Sequence, residues 1–135
     1  MVASLIGALL LGAAPAPGAT VQAGKADWNA FPALQKVPRS LPTGAMVDRV
    51  ADMLQKQECA LPGQSARKFD ITIPYVVLVN PDGKAERVVV EDIGCPGLET
   101  YVGSIVLLLA GSGDFPPTGK SVPQWYSSTL NFNAR

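Results

Sequence analysis

Two cysteines, Cys59 and Cys95, are the only thiols in the chain, and no histidine accompanies them. A thiol at a helix N-terminus can be a nucleophile of lowered pKa, and Cys95 stands just before Pro96, where a helix would open. Neither a Cys-x-x-Cys spacing nor a histidine partner is present, so the pair reads instead as a structural disulfide, Cys59–Cys95, contributing roughly 3–4 kcal/mol by loop closure. Without histidine, the commonest general base and the commonest transition-metal ligand are both missing. Asn80, Asp82 and Glu86 gather oxygens, but without the ligand spacing of a calcium loop, and they fall on a turn signature. Glu91 and Asp92 are adjacent; on a strand such neighbours point to opposite faces and do not converge on a substrate. Ser127 and Ser128 have no visible base, and no glycine-rich phosphate loop follows a strand. No catalytic residue, metal site or cofactor is therefore expected. Trp125-Tyr126 is an aromatic pair that could meet a sugar or a peptide, with core and edge packing as the plainer role.

These residues must be held by elements, and the chain divides into three stretches. Residues 1–23 read as a cleavable signal segment. No charge precedes Lys25, and the strongly apolar part, Leu5 to Leu11, is about half of the roughly 20 residues a membrane span needs. Val21-Gln22-Ala23 fits the small-x-small rule and leaves Gly24 as the new N-terminus; Ala14-Pro15-Ala16 also fits, with Pro17 standing unfavourably after it. The expected location is periplasmic or secreted, with no stable membrane span after cleavage, in a compartment that oxidises thiols. Residues 24–42 hold Pro32, Pro38 and Pro42 and no periodicity. Trp28 and Phe31 suggest a segment draped over an apolar surface rather than a free tail.

Residues 43–135 carry the folded domain. Thr43 is an N-cap for a helix over about Gly44–Gln57, with Met46, Val50, Met53 and Leu54 at helical spacing. Phe69–Asn80 alternates as a strand, with Phe69, Ile71, Ile73, Tyr75, Val77 and Val79 on one face. Its second face, with Val76 and Leu78, is also partly apolar and so partly covered. Pro74 cannot donate a ladder bond and so belongs at an edge or where pairing begins. Asn80-Pro81-Asp82-Gly83 is a turn leading to a strand over Ala85–Glu91. Gly94-Cys95-Pro96-Gly97 opens a second helix with an apolar stripe of Leu98, Tyr101, Val102, Ile105, Leu108 and Leu109, widened by Val106 and Leu107 into a largely buried helix. A last strand covers about Gln124–Asn133. The order predicts an α+β fold: a small three-stranded antiparallel sheet, order 2-1-3, packed on helix 98–110 and preceded by the disulfide-tethered helix.

The stretches Pro74-Tyr-Val-Val-Leu-Val-Asn-Pro-Asp-Gly83, Arg87-Val-Val-Val90, Gly94-Cys-Pro-Gly-Leu98, Phe115-Pro-Pro-Thr-Gly119 and Leu130-Asn-Phe132 together resemble the C-terminal domain of the TonB family. The resemblance covers Pro74 to Asn133. It implies the family's fold and peptide binding at a strand edge; the cleavable apolar segment and the short stretch before the first helix make the expected member periplasmic, without the membrane anchor or the Pro-rich spacer of the energy transducers. The expected function is a protein-interaction module rather than an enzyme. Trp125, Ser127, Thr129 and Asn131 on the last strand would contact an envelope protein or an extended peptide. The alternative is a structural envelope protein that assembles with itself, as in a homodimer. Eleven basic and eleven acidic side chains cancel and are scattered, which gives no footprint for nucleic acid.

Overall fold

The computed structural model describes residues 19–34, 41–56, 61–111 and 119–134. Its sheet is organised around strand β2 (Phe69–Val79), whose alternation buries Phe69, Ile71, Ile73, Tyr75, Val77 and Val79 on one face. The chain turns at Asn80–Gly83, where Gly83 adopts φ 92° and donates its N–H to the Asn80 carbonyl at 2.9 Å. It returns antiparallel as β3 (Ala85–Glu91), paired from Tyr75↔Val90 to Val79↔Ala85. The first of those pairs comes immediately after Pro74, whose ring cannot donate a ladder bond. On the other side of β2 lies β4 (Gln124–Ala134), antiparallel along the full length of β2.

A fourth strand, β1 (Thr20–Gly24), runs parallel to β3 on its far side, from Thr20↔Arg87 to Gly24↔Glu91. The sheet is therefore four-stranded and mixed, in the order β1-β3-β2-β4. This corrects the expected three-stranded antiparallel sheet. The missing strand lay in the stretch given to the signal segment, where Val21 and Ala23 are too few inward residues to stand out from the small-residue run before them. A cut between Ala23 and Gly24 would fall inside β1.

Both helices cover one face. Helix α1 (Gly44–Gln55) starts at Thr43, whose Oγ1 accepts the Met46 N–H at 3.3 Å, and buries Val50 and Met53. Helix α2 (Pro96–Gly111) buries Leu98, Val102, Ile105, Val106 and Leu109 against the same core. Leu108, expected on the buried stripe, is instead 65% exposed, because the stripe passes through Val106. The start of α2 is fixed by the buried Glu99 carboxylate. Its Oε2 accepts the Cys95 N–H at 3.0 Å, a donor that a helix N-terminus otherwise leaves orphaned, and the N–H of Ile93 just before it at 2.8 Å. Cys95 is fully buried there. Its expected disulfide partner, Cys59, lies outside the described residues, as do most of the expected signal segment and Phe115–Thr118.

One glycine decides how closely β1 can approach α2. A Cβ on Gly103 would collide with the side chain of Val21, so β1 is seated against the helix only because residue 103 has none. Gly103→Ala is expected to cost about 1–3 kcal/mol in urea denaturation. Adding Val21→Ala should shrink that penalty, and an unchanged midpoint for the single variant would mean β1 is not seated. Tyr75 makes a second test. Its phenol is buried on the helix face, which pushes its pKa above the ordinary 10.0, partly offset by a hydrogen bond with Ser128. A raised folded-state value favours the protonated form, so this stabilisation is complete below pH 10 and is lost as pH rises through the folded value. Tyr75→Phe should flatten the alkaline fall in stability; an identical fall in both proteins would contradict the assignment.

Candidate functional site

The sheet's second face is crossed by a strap, residues 25–34, which begins at one edge of the sheet and ends at the other. At its start the Gly24 carbonyl accepts the Asp92 N–H at 2.9 Å. A turn of 3-10 helix, Trp28–Ala30, then lies beside β2. Val76 alternates onto this face yet is 3% exposed, so the surface is covered rather than open to water. The strap reaches the outer edge of β4 at Ser127. There the Ser127 N–H donates to the Pro32 carbonyl at 2.8 Å, and the Leu34 N–H donates to the Ser127 carbonyl at 2.9 Å. The bridge Ala33↔Ser127 is parallel. The Ser127 hydroxyl adds a third bond, donating to the Phe31 carbonyl at 3.2 Å.

An aromatic stack holds the strap from the face side. Phe31 and Trp125 have ring centroids 6.2 Å apart at 56°, a tilted arrangement that aromatic pairs favour. The Arg87 guanidinium lies 5.5 Å from the Trp125 ring centroid, and its Nη2 donates to Gln22 Oε1 at 3.2 Å. Gln22, Arg87, Trp125 and Phe31 thus link β1, β3, β4 and the strap across the face.

Of the four residues expected to bind a partner, Trp125 and Ser127 meet the chain's own strap. Thr129 lies one alternation further along the same edge. It is exposed, and its backbone groups have no partner among the described residues. Asn131 lies two alternations along, with its Nδ2 turned onto the sheet face toward Asp70 Oδ1 at 2.6 Å and Thr72 Oγ1 at 2.8 Å. Phe31, Pro32, Leu34, Arg87 and Gln22 were not foreseen as part of this site. The draping of Phe31 and the covering of the second face of β2 were each expected, and setting the two side by side would have pointed to this contact.

The remaining polar candidates are engaged locally. The side-chain oxygens of Asn80 and Asp82 both accept the Lys84 N–H, at 3.0 and 3.2 Å, and Asp92 Oδ1 accepts the Gly94 N–H at 3.1 Å. Among the described residues no group of three metal-ligating side chains converges, and no helix is long and apolar enough to cross a membrane. A shallow cleft of about 700 Å³ opens at the far end of β2 and β4, lined by Gln64, Lys68, Asp70 and Asn133 among others. Gln64 Oε1 accepts the Asp70 N–H there at 2.8 Å. No protein-family model, no curated protein and no solved structure matches the chain.

Proposed function

We propose that this chain is an exported binding protein, periplasmic or secreted, that takes up an extended segment of an envelope partner by strand addition at the β4 edge. The observation that carries the reading is the pairing at Ser127. An edge that already accepts an extended segment through two backbone hydrogen bonds has the geometry for strand addition. Further along the same edge, the backbone groups of Thr129 have no partner among the described residues. Main-chain bonds would supply affinity there, and side chains alternating above and below the edge would supply selectivity. The TonB-like stretch from Pro74 to Asn133 points the same way. The reading is of a binder rather than an enzyme, since Ser127, Asn80, Asp82, Asp92 and Glu99 are each engaged with backbone groups. Export rests on the apolar run Leu5 to Leu11. In this reading, processing upstream of Thr20 leaves β1 whole, and a Cys59–Cys95 disulfide ties the chain after α1 to the start of α2.

A photo-crosslinking side chain at position 131 in the native envelope should yield one adduct with a partner. The adduct should disappear when Thr129→Pro removes the outward N–H, in a variant checked for retained fold. Adducts indifferent to Thr129→Pro would overturn the reading. A single adduct with a second copy of the chain would replace it with self-assembly.

A further inference from the structure

The strap's last residues sit on the edge just assigned to a partner, and their chemistry is specific. Ala33 pairs with Ser127 and so shares its side of the sheet, the face crossed by the strap. By alternation Phe31 belongs to the same side, where its ring meets Trp125, while Leu34 belongs to the helix side and packs against the main core. The segment is therefore read on both faces at once: an aromatic on Trp125, a small residue beside Ser127, and an aliphatic at the rim of the core. Pro32 has its own role. In a parallel ladder, the residue whose carbonyl accepts from Ser127 would also turn its N–H toward β4, and proline has none to give. The ladder thus starts at Ser127, and Phe31, extended at φ −103° and ψ 145°, lies just before it with its ring against Trp125.

We propose that Phe31–Leu34 is a built-in ligand of the β4 edge, and that the partner segment this edge accepts has the same chemistry and direction. That segment is an extended aromatic-proline-small-aliphatic sequence running parallel to β4, and it displaces the strap when it binds. This rests on the strand-addition reading and names both its occupant and its regulation. The strap is suited to displacement, since among the described residues its pairing with β4 is a single bridge, Ala33↔Ser127. A partner that continued past Ser127 to Thr129 would add backbone bonds that this bridge does not make. The resting chain is then self-occupied, and only a segment that matches both faces competes.

The test uses the full chain and a fluorescent synthetic peptide of residues 28–35, with a scrambled peptide as control. A variant carrying Phe31→Ser and Leu34→Pro removes the ring contact and the N–H donor of the strap. The peptide should bind this variant at least tenfold more tightly than the unmodified chain, and Ser127→Pro in the same background should abolish binding. Phe31→Ala alone keeps the test available if the double variant does not fold, with a smaller gain expected. Equal affinity for the unmodified and strap-weakened chains overturns the proposal, as does binding that ignores Ser127→Pro or scrambling. Failure here alongside a Thr129-dependent envelope adduct would leave the strand-addition reading standing. Peptide binding without any such adduct would uphold the built-in ligand and remove the envelope partner.

Discussion

The sheet has two apolar faces and helices on only one of them. Val76, Leu78, Val89 and Trp125 point away from α1 and α2, and leaving such side chains in water forfeits the 1.5–3 kcal/mol or so that burying each large aliphatic contributes. The cover must come from another part of the chain, and the strap is that part. Its path follows from where it is anchored. β1 holds one end at the outer side of β3, and Ser127 holds the other at the outer side of β4, so the connection has to cross the face between them. The requirement to cover the second face therefore explains why a proline-containing segment is ordered at all, and why its end arrives at a strand edge.

The helix side gives that edge its rigidity. β2 is paired with β4 along its full length, Tyr75 stands opposite Ser128 in that pair, and Phe132 and Leu130 are buried beneath. Glu99 locks the start of α2, and Gly103 lets β1 approach it closely. Among the described residues the strap's contacts with this platform are a short set of hydrogen bonds at Ser127, a tilted ring contact, and the apolar surface it covers. Segments fixed by few bonds on a well-packed platform open at lower free energy than the platform itself. This difference is what a replaceable internal ligand requires.

The parts legible in the sequence are those with local patterns. The alternation of Phe69–Val79, the Asn80–Gly83 turn, the Thr43 cap and the proline that opens α2 are each written in neighbouring residues, and the elements fall where those patterns put them. The apolar second face of β2 also announced that something covers it. β1 was not legible, because Thr20–Gly24 offers only Val21 and Ala23 to the core and adjoins a run of small residues that reads as a signal segment. Its parallel partner, β3, is distant in sequence. The same reason hid the site. Alternation correctly sorts Trp125, Ser127 and Thr129 onto one face, but no local pattern marks Ser127 as already paired with Pro32 and Leu34. The exposure of Leu108 has a simpler origin: Val106 to Leu109 are all apolar, so hydrophobicity alone leaves the buried stripe of that turn undecided.

Amide hydrogen exchange at two positions of β4 separates an occupied edge from an open one. The Ser127 N–H is bonded to the Pro32 carbonyl, whereas the Thr129 N–H, one alternation further along the same edge, has no partner among the described residues. In the resting chain Ser127 should exchange slowly and Thr129 close to the rate of an unstructured amide. If Ser127 exchanges as fast as Thr129, the strap does not occupy the edge, and the internal-ligand account fails.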